Sequence, residues 1–289
     1  MKSKWLVPRI PFEGCVCTYG EARLVLLGAG YDGTSSYRPG SRFAPQAIRA
    51  ETLLSQENYS PYFQRDLTEF PVHDAGDLEL PFGDKTEALH RIEAAVEEIC
   101  GAGKIPCLIG GEHLVTLPAV RAIHRFHPEL HVLQLDAHLD LMDQLFGDRL
   151  SHGTVMRRIL DTLQESERLL QVGIRSGSKE EFQFAHRHTR LFLFNTREFQ
   201  NHIHLLENRP VYLSLDVDVF DPSLIPGTGT PEAGGIFFDE YIELLKAIKH
   251  LNIVGCDLVE LSPKLDPTGN STITAAKVLR ELLIAILID

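Results

Sequence analysis

The chain has 289 residues, 44% of them hydrophobic and 24% charged, with 40 acidic side chains against 28 basic ones and a formal net charge of −12. This is the composition of a globular protein able to bury a full core; its acidity disfavours nucleic acid or an anionic membrane surface as partner and suits a cationic substrate. Five cysteines with no CxxC pair, no apolar leader, and no apolar run longer than that at 282–288 predict reduced thiols in a cytoplasmic protein without a membrane span.

In chain order, 23–28 reads as a first buried strand that runs into the Gly-, Pro- and Ser-containing loop 29–40. Irregular backbone at the carboxyl end of a strand is where α/β proteins place their sites. Helical spacing follows over 43–54. The stretch 55–82 is mixed and contains proline, so it is expected to be loop with one short strand near Val72. Asp84 and Glu87 form a capping box that opens a helix to 99 or 100, stopped by Gly101. Further strands are expected at 105–109, 132–135, 169–174, 191–194, 211–215 and 253–261. Helices are expected at 114–127 and 151–163, after the cap formed by Ser178 and Glu181, near 198–206 and at 238–250. An amphipathic helix from about Ser271 closes the chain. Strand and helix alternate throughout, which argues for a parallel sheet covered on both faces. No linker, repeat or low-complexity run divides the chain, so 1–289 is read as one α/β domain.

Three strand ends carry the chemistry. The run 132–135 is followed by Asp136, His138 and Asp140 at alternate positions, which share a face in extended backbone. The run 211–215 is followed in the same way by Asp216 and Asp218. The strand at 105–109 ends in Gly110-Gly111-Glu112-His113, where the glycines allow a sharp turn that presents His113. Four carboxylates and two imidazoles at one edge of a sheet need compensation, and two divalent cations supply it. Oxygen-rich donors with some nitrogen suit Mn²⁺ before Zn²⁺. A lone Asp-x-Asp after a strand also holds Mg²⁺ in phosphatases and glycosyltransferases, but those sites lack the two histidines. Neither a Gly-x-Ser-x-Gly elbow, a P-loop nor a dinucleotide fingerprint is present. Histidines outside these motifs are read as surface or helix-face residues. Two metal ions sharing a water acidify it to hydroxide, so the reaction class is metal-assisted hydrolysis.

Gly110–His113, Asp136–Asp140 and Ser214–Pro222, continuing through 226–235, closely resemble the ureohydrolases, the family of arginase, agmatinase, guanidinobutyrase and formiminoglutamase. The segments 37–49 and 151–154 are similar to further family segments. The resemblance implies a three-layer α/β/α sandwich with a central parallel sheet, of arginase/deacetylase type, holding two Mn²⁺ per subunit. By it, Asp136 and Asp216 bridge both ions, His113 and Asp140 complete one site, and His138 and Asp218 complete the other. His152 matches the family's mobile active-site histidine, a proton shuttle. Asp140 counts among the catalytic groups, and Glu260 matches the acid that pairs with the substrate guanidinium. Thr230 and Glu232 are the further expected substrate contacts. Leu114 departs from the family, since arginases carry serine there; metal binding is expected to survive the change.

Arginases hold an α-amino-acid head through polar residues that include an asparagine, and no asparagine occurs between Asn58 and Asn195. The run Thr230-Pro-Glu-Ala-Gly-Gly235 is similar to agmatinases. The expected reaction is therefore hydrolysis of agmatine, a small cationic guanidino substrate, to putrescine and urea by a metal-bridging hydroxide. The alternatives are guanidinobutyrase, arginase or formiminoglutamase activity, with Arg149 or Arg157 to bind a carboxylate, or a catalytically silent relative. The family commonly forms trimers or hexamers.

Overall fold

The computed structural model describes Met1 and residues 3–288. Among these, a nine-stranded sheet runs in the order β1-β5-β2-β6-β11-β10-β7-β8-β9. Its strands are β1 (Leu6–Val7), β2 (Leu24–Ala29), β5 (Val72–Leu78), β6 (Ile105–Gly110), β7 (His131–Leu135), β8 (Leu169–Ile174), β9 (Arg190–Leu193), β10 (Pro210–Asp216) and β11 (Asn252–Val259). β3 (Tyr59–Ser60) and β4 (Arg65–Asp66) form a separate hairpin. All neighbours in the large sheet pair in parallel except β1, which lies antiparallel on β5.

Helices cover both faces. α1 (Ala44–Ser55), α7 (Phe238–Ile248) and α8 (Asn270–Leu287) pack on one side with Leu24, Leu26, Leu133 and Leu213. α2 (Lys85–Gly101), α3 (Thr116–Phe126), α4 (Val155–Leu163) and α5 (Lys179–His188) pack on the other with Val25, Leu27, Val132 and Tyr212. Successive residues of one strand therefore feed two different cores, which is why these strands read as continuous apolar runs. The short α6 (Arg197–Gln200) anchors through buried Phe199. The architecture is the expected three-layer sandwich.

Some expectations shift locally. β5 is seven residues long where a short strand was expected, because its Asp74, Gly76 and Asp77 are poor strand formers. Buried Arg49 of α1 holds them, with Nε 2.7 Å from Asp74 and Nη1 2.5 Å from Asp77. The two-residue β1 carried no readable pattern. Asp84 caps α2 by accepting from the Glu87 amide, but Glu87 turns to Arg91 and leaves the box half made. The helix near 198–206 is split into α6 and a 3₁₀ turn, Ile203–Leu206. α8 is buried on nearly all sides instead of being amphipathic, with Arg280 and Glu281 paired inside the protein. His73 and His131 lie on strands, where Nδ1 of His73 meets the Cys17 carbonyl at 2.9 Å.

The order β6-β11-β10-β7 matters most. It sets four strands side by side with their carboxyl ends on one edge, the edge where open α/β sheets bind ligands. Leu215 pairs with Leu135 and Asp216 with Val259, so Asp136 and Asp216 leave their strands level, with Glu260 one step further on.

Candidate metal centre

His113 follows β6 at the start of a 3₁₀ turn and is fully buried. Gly110 and Gly111 before it are needed for close approach, not for a left-handed turn. A Cβ on Gly111 would lie 1.9 Å from the Tyr31 carbonyl oxygen, and one on Gly110 would lie 2.7 Å from the Val259 side chain. Nδ1 of His113 lies 3.1 Å from Asp136 Oδ2, 3.1 Å from Asp140 Oδ2 and 3.4 Å from Asp216 Oδ2. Nδ1 of His138 lies 2.9 Å from Asp218 Oδ2 and 3.7 Å from Asp136 Oδ1.

Two sets of ligand-type atoms are thus compact enough to hold an ion: His113 with Asp136 and Asp140, and Asp136 with His138 and Asp218. Asp136 is common to both. Asp216 approaches the first set through His113. His113 Nδ1 and Asp218 Oδ2 are buried with no hydrogen-bond partner among the described residues, even though other ligand-type atoms crowd them. Such orphaned donor atoms in an oxygen-and-imidazole set fit a pair of divalent cations.

The six residues converge, but not by strand alternation. Asp136 Oδ1 accepts from the His138 amide at 2.6 Å, and Asp216 Oδ1 accepts from the Asp218 amide at 2.8 Å. Each aspartate thereby turns its own backbone two residues on. Residues Val217–Val219 form a 3₁₀ turn, and Asp140 adopts a left-handed φ of 53°. The Ala137 amide donates to Asp218 Oδ1 at 3.0 Å and ties the two turns together. Arg175 was not anticipated. Its guanidinium donates to the carbonyls of Asp218 (2.6 Å) and Glu232 (2.7 Å) and braces the second turn against the loop around 232.

Without cations the cluster takes up protons. Burial opposes charge on His113 and His138, but the surrounding carboxylates outweigh it, and His138 is pushed up to about 12. Burial and the Asp136 charge push Asp140 up to about 6, and burial raises Asp216 and Asp218 as well. Burial also opposes the charge on Asp136, yet the two histidines hold it well below the usual range. A bound divalent cation must displace these protons. Cation uptake is therefore expected to release protons at neutral pH, and affinity is expected to fall as pH drops through about 6, where Asp140 becomes protonated. Calorimetry in buffers of different ionisation enthalpy measures this release; affinity that is flat with pH would count against the site.

A narrow cleft beside the cluster is lined by Ser36, Tyr37, Arg38, His152, Thr230 and Glu260. His152 Nε2 lies 3.1 Å from Ser36 Oγ, and its amide donates to Thr34 Oγ1 at 3.2 Å. Burial lowers the His152 pKa, so its ring is neutral at neutral pH. Glu260 Oε1 accepts from the His113 amide at 2.7 Å, and burial with the nearby Glu112 raises its pKa. Thr230 lies in the cleft. Glu232 does not line it and meets Arg175 through its carbonyl. Arg149 and Arg157, named for the carboxylate-binding alternative, are not among the lining residues of the cleft: Arg149 pairs with Asp143 at 3.3 Å, and Arg157 stacks 3.5 Å over Phe184. Arg38 does line it, and it has no hydrogen bond or ion pair among the described residues; its place in the 37–49 segment was visible in sequence, its free charge was not. Leu114 is buried core.

The profile of the Arginase family matches residues 22–285. The chain is 42% identical to an agmatinase of Bacillus anthracis over 92% of this chain and 93% of that one. It is 34% identical to a guanidinobutyrase of Pseudomonas aeruginosa, over 89% and 84% respectively. The crystal structure of an agmatine ureohydrolase from Thermoplasma volcanium superposes with a TM-score of 0.86 at 33% identity, covering 97% of this chain and 95% of that one.

Proposed function

The chain belongs to the arginase family and is a hydrolase of guanidino C–N bonds, and from that premise we propose that it converts agmatine and water to putrescine and urea. The observation that carries the reading is the pair of His/Asp groups sharing Asp136, set beside a cleft that contains both Glu260 and His152. Two Mn²⁺ ions would be held by His113, Asp136, Asp140 and Asp216 together with His138 and Asp218, Asp136 being common to the two ligand-type groups. Mn²⁺ is favoured by a donor set of four carboxylates and two imidazoles. When bound, the ions would balance the carboxylates and supply a water acidified enough to be a nucleophile at neutral pH.

The protein's own groups do the rest. Oε1 of Glu260 is engaged by the His113 amide, which leaves Oε2 to accept from the planar N–H donors of the guanidinium. This fixes the guanidinium carbon next to the cluster. Asp140 accepts a hydrogen bond from the attacking water and fixes its direction. The water oxygen bonds to the guanidinium carbon, the C–N bond to the alkyl chain breaks, and neutral His152 takes the proton released by that water and passes it to the departing amine nitrogen. Thr230 contacts the substrate across the cleft, and Glu232 contributes through its loop. The whole chain acts as one domain, in a cytoplasmic trimer or hexamer, and supplies putrescine to polyamine synthesis. No helix among the described residues is long and apolar enough to cross a membrane.

A second reading rests on Arg38. Arg38 is a lining residue of the cleft, and its guanidinium, if turned inward, would favour a substrate whose far end is a carboxylate, such as guanidinobutyrate, over one that ends in an ammonium. Urea release from agmatine, guanidinobutyrate and arginine, and formamide release from formiminoglutamate, compared with Mn²⁺ present, separate the two. The highest kcat/KM is expected for agmatine; faster turnover of guanidinobutyrate would transfer the assignment to the second reading.

A further inference from the structure

His113 has two ring nitrogens, and only Nδ1 faces the cluster. Nε2 points the other way, to Ser214 Oγ at 2.8 Å. Ser214 Oγ in turn donates to Asp257 Oδ1 at 2.7 Å. The other carboxylate oxygen, Oδ2, accepts from Thr116 Oγ1 at 2.7 Å and from Tyr212 OH at 2.6 Å. All five residues are fully buried: His113 in the turn after β6, Ser214 and Tyr212 on β10, Asp257 on β11 and Thr116 at the start of α3. Nothing in the proposed reaction uses Asp257.

The direction of these bonds is forced. A carboxylate only accepts, so Ser214 must give its single proton to Asp257. Its oxygen is then free only to accept, and the proton it accepts is on His113 Nε2. A neutral His113 that is protonated at Nε2 has its lone pair on Nδ1, the atom aimed at Asp136, Asp140 and Asp216. Burial raises the Asp257 pKa, while His113 and the three hydroxyls lower it. A carboxylate accepting three O–H bonds is the arrangement in which every proton of the cluster finds an acceptor.

We infer that Asp257 is a positioning residue that acts through Ser214 to hold His113 in its metal-binding tautomer. Partners behind a ligating histidine fix its tautomer and orientation, and their loss typically weakens metal binding by about 10- to 100-fold. The inference rests on the two-metal reading above. It also separates two hydroxyls bonded to one carboxylate: Ser214 bonds His113 directly at 2.8 Å, whereas Thr116 does not touch His113 and reaches the Ser214 hydroxyl only at a long 3.4 Å.

The test is equilibrium dialysis of Mn²⁺ against the full-length chain and its variants, with thermal unfolding of each metal-free variant as a fold control. The wild type is expected to retain two equivalents. Ser214→Ala is expected to weaken one of the two by several-fold, and Thr116→Val to leave both unchanged. Asp257→Asn goes further. Its carbonyl stays with Tyr212 and Thr116, so its amide faces Ser214 and donates. Ser214 must then donate to His113 Nε2, which moves the ring proton to Nδ1. This variant is expected to lose about 10- to 100-fold at one site, more than Ser214→Ala. Equal effects of Ser214→Ala and Thr116→Val would overturn the inference whether or not Asp257→Asn folds. So would Mn²⁺ binding by a folded Asp257→Asn that is no weaker than that of Ser214→Ala. A wild type retaining fewer than two equivalents would instead overturn the two-metal reading.

Discussion

Asp136→Ala is expected to reduce urea release by at least about 10³-fold, more than 4 kcal/mol of transition-state stabilisation. Three effects combine. Asp136 is the one residue common to both ligand groups, so both lose an oxygen donor. Its Oδ1 accepts from the His138 amide, so the turn that delivers His138 loses its anchor. Its Oδ2 accepts from Gln134 Nε2 at 2.6 Å, and that buried amide is left without its strongest partner. Metal analysis should find less than one equivalent retained. Asp221→Ala is the matched control, since Asp221 follows Asp218 in the same motif but faces away. It accepts from Ser223 Oγ and the Gly234 amide, as a turn-forming aspartate does. It is expected to cost about 1 kcal/mol of stability and to leave kcat within a few-fold of wild type. Similar losses in the two variants would mean that the motif matters as a fold element and not as a ligand set.

What the sequence revealed, and what it hid, follows from which residues leave a periodic or chemical trace. β2, β6, β7 and β10 were visible because both their faces are buried, which writes an uninterrupted apolar run. β5 was underestimated because Asp74 and Asp77 interrupt that run, and their compensation, Arg49, lies on a helix far away in sequence. The six clustered ligand-type residues were visible because acids and histidines at a strand end are chemically conspicuous. The geometry that gathers them was not, since it depends on side chains turning their own backbone and on the positive φ of Asp140. Arg38 and Arg175 were missed for a related reason. A cation in a loop has no period, and whether it is free, like Arg38, or spent on carbonyls, like Arg175, is decided by tertiary contacts alone. The same holds for Asp257, which in sequence is a lone acid inside an apolar strand and in the fold is the acceptor of three hydroxyls.

Glu260→Gln is expected to lower kcat/KM by about 10- to 100-fold while Mn²⁺ content stays at two equivalents. β11 ends at Val259, and Glu260 takes a left-handed φ of 65°, which costs a non-glycine residue about 1–2 kcal/mol. Two bonds hold it there: its own amide donates to the Gly111 carbonyl at 2.8 Å, and its Oε1 accepts from the His113 amide. The strained backbone thus swings the carboxylate off the strand axis and into the cleft. Glutamine preserves the carbonyl that meets His113, so the metal side is undisturbed. It replaces Oε2 with an N–H₂ donor, and a guanidinium, which has only donors, finds no acceptor there. The loss of a hydrogen bond between charged groups is worth about 1.5–3 kcal/mol, which sets the expected range. On the proposed orientation Glu260 would read the end that both substrates share, so the defect should be the same for agmatine and guanidinobutyrate. A variant of Arg38 should instead change their ratio. If Glu260→Gln altered the ratio and left the common loss small, Glu260 would be reading the substrate tail, and the orientation of substrate in the cleft would have to be reversed.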